Sequence, residues 1–217
     1  MVKVKICGIK NTEDAMVSCE YGADYLGFIF IKDTPRFLRK QEAADIIKAI
    51  PAQLKDKISL VGLFRNEDPE EISSAILECG LNMVQLQGEE KPGECDVIKK
   101  KTGCCVAKAF KVTGTALAVG SYSPVDYAAC DYFVFDTFHP RMYGGTGEVF
   151  DWKMLDVNRP LINKPFFVAG GLNPGNVAGA VLSLKPYGVD VSSGVESSPG
   201  KKDIKLLKEF IKNAKTT

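Results

Sequence analysis

Eight short apolar segments alternate with stretches of helical pattern along this chain, and this alternation limits the fold more than any other feature. The segments are rich in β-branched and aromatic residues, so each is predicted to form a strand. The predicted strands are Val2–Cys7, Tyr25–Phe30, Ile58–Phe64, Met83–Gln87, Cys105–Phe110, Tyr132–Asp136, Phe166–Ala169 and Val189–Ser192. Helices are predicted between and after them, near residues 12–20, 40–50, 69–79, 94–101, 151–156, 174–184 and 202–213.

Repeated strand–helix units favour a parallel sheet covered by helices. Eight units in 217 residues fit a small (β/α)8 TIM barrel of the α/β class, predicted as a single domain over residues 1–217. A doubly wound open sheet is also compatible with the pattern. Residues 111–129 are the weakest helix candidate, because they contain Gly114, Gly120 and Pro124.

Two of the predicted helices begin with a capping signal. Asp68 stands before Pro69, and Asn173 stands before Pro174. Asp and Asn side chains accept hydrogen bonds from free amides of the first turn, and proline fits the first helical position because no N–H is needed there. Helices are therefore predicted to begin at these two prolines.

The charge balance limits the partners that the chain can have. It has 28 Lys and Arg against 27 Asp and Glu, with 45% hydrophobic residues, so we expect no nucleic-acid partner. No apolar run approaches the ~18 residues of a membrane span, and no secretion signal is recognised, so we expect no membrane partner. Seven cysteines in such a chain predict free thiols and a cytoplasmic location. Both a monomer and a homodimer are compatible with the sequence.

Polar residues recur at one parity in five predicted strands, mostly near the C-terminal ends. They are Lys3, Lys5 and Cys7; Gln85 and Gln87; Lys108; Asp136; and Asp190 with Ser192. Since helices cover the outside of a barrel, alternation is expected to point these side chains inwards, at the end where barrel active sites lie. The alternative is a structural floor in which Lys5 and Lys108 balance Asp136 and Asp190, because unpaired buried charges are costly.

Three glycine-rich segments follow the last three predicted strands, at residues 144–147, 169–173 and 192–195. Glycine lets the backbone approach an oxyanion closely, and exposed N–H groups then bind it. The loops after strands 7 and 8 of a barrel are the usual phosphate site. The predicted phosphate-binding residues are Gly145, Gly170, Gly171, Ser192, Ser193 and Gly194.

These residues resemble the phosphoribosylanthranilate isomerase family of tryptophan biosynthesis, and the resemblance covers nearly the whole chain in the family's order. The matching segments lie at residues 5–9 (KICGI), 25–30 (YLGFIF), 34–36 (TPR), 84–88 (VQLQG), 135–137 (FDT), 144–147 (GGTG), 150–152 (FDW), 168–172 (VAGGL) and 188–196 (GVDVSSGVE). A first strand that ends in Cys-Gly, combined with this last segment, is specific to the family.

The resemblance implies an Amadori rearrangement that turns a phosphorylated aminoaldose into an aminoketose. Cys7 matches the family's general base and Asp136 its general acid. The substrate's own nitrogen acts as the electron sink, so neither a metal nor an organic cofactor is expected. For these roles, burial should raise the pKa of Asp136. The surroundings of Cys7, with Lys5 as one candidate, should partly ionise its thiol.

Four further residues are expected to bind the substrate. Arg36 matches the residue that grips the anthranilate carboxylate, which a planar guanidinium can hold with two hydrogen bonds. Gln85, Gln87 and Asp190 complete the set. Gln87 is a departure, because the family usually has histidine there, and an amide cannot titrate. The only histidine of the chain is His139.

Other functions share part of this pattern. Indole-glycerol-phosphate synthase, a pentose-phosphate epimerase and a flavin-binding barrel also use late glycine loops, but a metal-dependent epimerase would need several histidines. A related isomerase of histidine biosynthesis performs the same rearrangement, and it is expected to use paired aspartates instead of a cysteine. A barrel that binds a sugar phosphate without converting it is the remaining alternative, and Gln87 is the only residue that favours it.

Overall fold

Eight parallel strands form a closed barrel in the computed structural model, which describes residues 1–113, 116–117, 119–136, 155 and 158–217. The barrel strands are β1 (Lys3–Cys7), β2 (Tyr25–Ile29), β3 (Ser59–Phe64), β4 (Met83–Leu86), β5 (Cys105–Thr113), β7 (Tyr132–Asp136), β8 (Phe166–Ala169) and β9 (Gly188–Val191). Each strand pairs in parallel with the next, β9 returns to β1, and β4 pairs with β5. The barrel predicted from the sequence is confirmed, and the open sheet is excluded.

Helices follow most of the barrel strands. They are α1 (Thr12–Glu20), α2 (Lys40–Ala49), α3 (Ala52–Lys55), α4 (Pro69–Cys79), α5 (Pro92–Thr102), α6 (Val177–Leu184) and α7 (Ile204–Lys215). The cap predicted for α4 is present, because the Asp68 side chain accepts a hydrogen bond from the Glu70 N–H, with Pro69 at the first position. Among the described helices, none combines the length and the apolar character that a membrane crossing needs.

The predicted start of α6 at Pro174 is wrong. The Asn173 side chain accepts a hydrogen bond from the Gly175 N–H at 2.8 Å, which closes a local turn instead of capping a helix. The helix begins three residues later, at Val177. The Asn-Pro pair therefore predicted the helix about one turn too early, because the Asn173 side chain stabilises a turn before it.

The stretch that looked least helical has no α-helix among its described residues. Strand β5 continues past Phe110 to Thr113 and pairs antiparallel with β6 (Ala116–Leu117). A single 3-10 turn follows at Pro124–Asp126. Tyr127 then fills the space against the barrel with a fully buried ring, packed edge-on to Phe110 at 5.3 Å between centroids. The side chain of Tyr127 thus covers this part of the barrel, where other strands are covered by a helix.

Two apolar clusters divide the strand residues by parity. The inner cluster fills the barrel and includes Cys7, Ala107 and Ala109, whereas the outer cluster packs against the helices. Lys108 alternates with the two alanines, so it lies on the outer side, where it pairs with Glu90 at 3.0 Å. Its predicted inward direction, and its predicted pairing with an aspartate, are therefore wrong.

A small antiparallel hairpin follows the last barrel strand. It consists of β10 (Glu196–Ser198) and β11 (Lys201–Lys202), and it lies between β9 and α7. The loop residues Gly145 and His139, and the helix predicted at 151–156 apart from Leu155, lie outside the described residues.

Candidate active site at the carboxyl ends of the strands

The C-terminal ends of the barrel strands open into a pocket of about 660 Å³, its mouth included. Asp136, Gln87 and Lys111 line it from inside, and Arg65 lines it from the loop after β3. Because strands of one parallel barrel end at the same rim, residues far apart in sequence meet here. Of the predicted site residues, Gln87 and Asp136 lie in the lining of this pocket.

Cys7 is the last residue of β1 and is buried. Its sulfur lies so close to Gly27 of β2 that a Cβ added there would approach it to 2.8 Å. Burial raises the pKa of the Cys7 thiol, although the charges of Lys5 and Lys202 oppose that rise. The expected help from Lys5 is present, but burial outweighs it, and the thiol is the main form at neutral pH.

Lys5 and Asp190 form an ion pair inside the barrel, directly beneath Cys7. They face each other across β1 and β9, and the Nζ–Oδ2 distance is 2.7 Å. Burial lowers the pKa of Lys5, but the Asp190 carboxylate, with a smaller contribution from the neighbouring Cys7, raises it above its ordinary value, so the ammonium stays charged. The other oxygen of Asp190, Oδ1, is buried and has no hydrogen-bond partner among the described residues. Of the alternative in which Lys5 and Lys108 balance two aspartates, the pairing of Lys5 with Asp190 is present, and one oxygen of the aspartate is left over.

Asp136 ends β7 and is held by a chain of two amides. Gln85 donates from Nε2 to Oε1 of Gln87 at 2.7 Å, and Gln87 donates from its own Nε2 to Oδ2 of Asp136 at 3.2 Å. Withdrawal from water, assisted by the charge of Asp190, raises the pKa of Asp136 to about 6. The carboxyl group is therefore partly protonated near neutral pH, as expected of a general acid.

Arg36 reaches the site from the loop after β2, where its guanidinium is already paired. Its Nε and Nη2 donate to the two carboxylate oxygens of Glu196 at 2.8 and 2.6 Å. Glu196 also accepts from Nζ of Lys202 at 2.9 Å. Glu196 thus occupies the Nε–Nη2 edge of the guanidinium, and a ligand carboxylate can bind at the remaining edge, formed by Nη1 and the second N–H of Nη2.

The predicted phosphate loops after β8 and β9 are in contact. Gly170 and Gly171 have φ angles of 83° and 65°, in the region that favours glycine. A Cβ at Gly194 would collide with the backbone carbonyl of Leu172, so the two loops touch through their backbones. The hydroxyl of Ser192 is buried and has no partner among the described residues. Such a hydroxyl is available to a ligand.

Two site residues were missed in the sequence. Glu196 and Lys202 have buried side chains, and both lie in the hairpin after β9. A lysine in the polar segment Gly200–Asp203 is normally solvent-exposed, and nothing in its neighbourhood indicated burial. Among the described residues, no group of three His, Cys, Asp or Glu side chains could hold a metal ion.

The chain is a parallel (β/α)8 barrel with a thiol, a carboxyl group and glycine loops at its C-terminal rim. These features are typical of the barrel enzymes. Comparison with known proteins narrows that class. The family model of N-(5'-phosphoribosyl)anthranilate (PRA) isomerase matches residues 4–213. The N-(5'-phosphoribosyl)anthranilate isomerase of Geobacter sulfurreducens is 42% identical over 215 residues, which is 99% of both chains.

Solved structures agree with the sequence comparison. The crystal structure of phosphoribosyl anthranilate isomerase from Thermotoga maritima has a TM-score of 0.85 and 39% identity, with full coverage of both chains. A phosphoribosyl anthranilate isomerase in complex with reduced 1-(o-carboxyphenylamino)-1-deoxyribulose 5-phosphate has a TM-score of 0.82 and 37% identity, again over both full chains. The chain belongs to the N-(5'-phosphoribosyl)anthranilate isomerase family. The resemblance seen in the sequence is confirmed, as is the expectation of an isomerase.

Proposed function

We propose that this chain converts N-(5'-phosphoribosyl)anthranilate to 1-(o-carboxyphenylamino)-1-deoxyribulose 5-phosphate, with Asp136 as general acid and Cys7 as general base. The observation that carries the proposal is the Asp136 carboxyl group, whose pKa of about 6 keeps it partly protonated at the same rim as a buried thiol. A proton donor and a proton acceptor on different strands are what an aldose–ketose isomerisation needs. Family membership and the product-like ligand of one relative support the same substrate.

In the first step, Asp136 gives its proton to the furanose ring oxygen. The bond between that oxygen and C1 breaks, and the anthranilate nitrogen supplies the electron pair that forms the iminium. Gln87 donates to Oδ2 of Asp136, so the proton of the neutral carboxyl group resides on Oδ1, which is the oxygen that faces away from the amide. Gln87 differs from histidine in keeping this donor at every pH.

In the second step, the thiolate of Cys7 removes the proton from C2. The electrons of the C–H bond form the C1–C2 double bond of an enolamine, which neutralises the iminium nitrogen. A proton from Cys7 then adds to C1 while the C2 hydroxyl gives its proton to the Asp136 carboxylate, so that the ketone forms and both groups are restored. Lys5 and Lys202 favour the thiolate through their positive charges. The reactive state has a neutral Asp136 and an ionised Cys7. It contains the same number of protons as the state with an ionised Asp136 and a neutral Cys7, and it is the less populated of the two.

Two groups hold the ends of the substrate. The Ser192 hydroxyl and the loops around Gly171 and Gly194 receive the phosphate, because their backbones form a concave surface with an unpartnered donor. Arg36 receives the anthranilate carboxylate through the part of its fork that Glu196 does not occupy. Asp190 Oδ1, buried and unpartnered, accepts a hydrogen bond from a ribose hydroxyl.

The test follows the fluorescence of freshly made phosphoribosylanthranilate in the presence of the wild type, Cys7→Ala and Asp136→Asn. Each variant is expected to lose a factor of at least about 100 in kcat, because each removes a proton-transfer group. Wild-type kcat/KM should fall below about pH 6, since both groups are then protonated and no base is available.

Gln85→Leu is the matched control at this rim. It removes an amide that touches Gln87 and does not touch Asp136, so its kcat should fall much less than that of Asp136→Asn. A wild type that binds the substrate without turnover would refute the proposal and favour a binding function or another aminoaldose. Full activity of Cys7→Ala would refute the role of the thiol.

A further inference from the structure

Lys202 is a buried lysine whose only part in the reaction described above is that its charge favours the Cys7 thiolate. Its side chain is 0% exposed, although it lies on a two-residue strand next to polar loops. Withdrawal of an ammonium group from water is strongly unfavourable unless the group is paired and hydrogen-bonded. The cost is offset here by three acceptors, one for each ammonium proton.

The three acceptors of Lys202 lie in three different parts of the site. Its Nζ donates to the backbone oxygen of Cys7 at 2.6 Å and to that of Ser192 at 3.2 Å. The third bond, at 2.9 Å, reaches Glu196, which in turn holds Arg36 with two hydrogen bonds. One ammonium thus connects the proposed base, the phosphate loop and the carboxylate-binding arginine.

The backbone of Lys202 is anchored independently of the site. Its N–H donates to Oδ2 of Asp14 on α1 at 3.0 Å, and it lies opposite Glu196 in the hairpin. The position of the ammonium is therefore set by the fold, and a ligand need not be present to establish it.

We infer that Lys202 is a positioning residue, which holds Cys7, the Ser192 loop and Arg36 in the relative arrangement that the isomerisation requires. The inference rests on the proposed function, because that function gives Cys7 and Arg36 their roles. It assigns Lys202 no contact with the substrate. Lys202 acts on Cys7 in two ways: it fixes the end of β1, and its charge favours the thiolate. The other charged groups that face Cys7 are Lys5, Asp190 and Arg36, and they are unchanged in the variants below.

The experiment compares Lys202→Met with Lys201→Met. Lys201 is the exposed neighbour on the same strand, so its variant controls for the loss of one lysine from the hairpin. The rate at which methyl methanethiosulfonate modifies Cys7 is followed by peptide mass spectrometry across pH, which reports thiolate without turnover. Modification of Cys7 in Lys202→Met is expected to be about tenfold slower near neutral pH, and kcat to fall with it.

Glu196→Gln is the second variant, and it removes the charge of the side chain while keeping its shape and an oxygen that can accept from Lys202. Here the KM for phosphoribosylanthranilate is expected to rise about tenfold, because Arg36 loses an ionic partner, without slower modification of Cys7. If Lys202 had only a structural role, its variant would show a lower folded fraction by circular dichroism. The two variants would then not differ in that Lys202→Met lowers kcat and Glu196→Gln raises KM.

Three results would overturn the inference. The first is Cys7 modification in folded Lys202→Met at the rate seen in Lys201→Met. The second is a slowing in Glu196→Gln as large as in Lys202→Met, because that would indicate general loosening of the hairpin. The third is an unchanged KM in Glu196→Gln. If the wild type shows no turnover, the proposed function fails, and the modification rates alone still decide whether Lys202 controls Cys7.

Discussion

Two buried lysine–carboxylate pairs lie on opposite sides of the barrel wall and differ in how completely they are bonded. Outside the barrel, Nζ of Lys108 donates to Glu90 and to the backbone oxygens of Leu86, Gly88 and Ala109, at 2.8–3.3 Å. The carboxylate of Glu90 also accepts from the N–H groups of Asn66 and Gly88. We call Lys108 and Glu90 the closed pair.

Inside the barrel, Lys5 and Asp190 make one short ionic hydrogen bond, and Oδ1 of Asp190 has no partner among the described residues. We call them the open pair. Both pairs carry the same two charges and both are buried, so charge and burial alone do not identify a functional site. The difference is the oxygen of Asp190 that has no partner among the described residues, because a buried polar atom without a partner costs stability that a hydrogen-bond donor on a ligand recovers.

The largest expected effect is on the closed pair. Lys108→Met leaves the Glu90 carboxylate and three backbone oxygens without their donor, so the free energy of unfolding should fall by about 3–5 kcal/mol. Urea denaturation at neutral pH measures it. In the folded variant, Cys7 should be modified at the wild-type rate. If Lys108→Met loses less stability than Lys5→Met, the closed pair does not contribute more to stability than the open pair.

The next effect has the opposite sign and concerns Asp136. Its pKa of about 6 in the folded state lies above its ordinary value, so the folded protein holds the proton more tightly than the unfolded chain. The ionised carboxylate therefore destabilises the folded state increasingly as the pH rises through that range. Asp136→Asn should gain at most about 3 kcal/mol at pH 8, and nothing below pH 4.

Denaturation of the wild type and Asp136→Asn at both pH values measures this gain. An equal stability difference at pH 4 and pH 8 would contradict it. If Asp136→Asn loses activity and gains stability, Asp136 resembles the open pair, because its carboxyl group is required for function and its ionised form lowers the free energy of unfolding.

The smallest expected effect is on the open pair itself. Lys5→Met removes a charge that favours the Cys7 thiolate, so modification of Cys7 and turnover should each fall about tenfold. It should also shift the acid limb of kcat/KM above pH 6, because the charge of Lys5 lowers the pKa of Asp136. An unchanged acid limb would separate Lys5 from the proton chemistry.

The sequence predicted the barrel and the inward direction of Lys5 and Asp190, because these follow from the alternation of side chains along the strands. The register that places Lys5 opposite Asp190 came only from the structure. The prediction failed for Lys108, although the same parity rule was applied. The rule assumes that a buried lysine must point to the polar mouth, and it has no information on Glu90, which comes from a loop after the neighbouring strand. Long-range partners of that kind are fixed by tertiary structure.

The same reason explains the missed residues. Arg36 was identified by the resemblance, but its pairing with Glu196 depends on a hairpin that no short-range pattern indicates. The partial ionisation expected of Cys7 was wrong for the ligand-free site, because the opposing effect of burial depends on how tightly β2 packs against the sulfur at Gly27. The residue types at the site were predictable from the sequence. The ion pair of Arg36 and the protonation state of Cys7 were not, because they depend on tertiary contacts.

The backbone contact between Gly194 and the carbonyl of Leu172 has a consequence for the entropy of binding. Two loops already packed together lose little conformational freedom when an anion arrives, so little of the phosphate's binding free energy is consumed in ordering them. Under the proposed function, that free energy is available at the other end of the substrate, where the sugar ring opens. A non-reacting phosphate can thus accelerate a reaction at a carbon atom several bonds away.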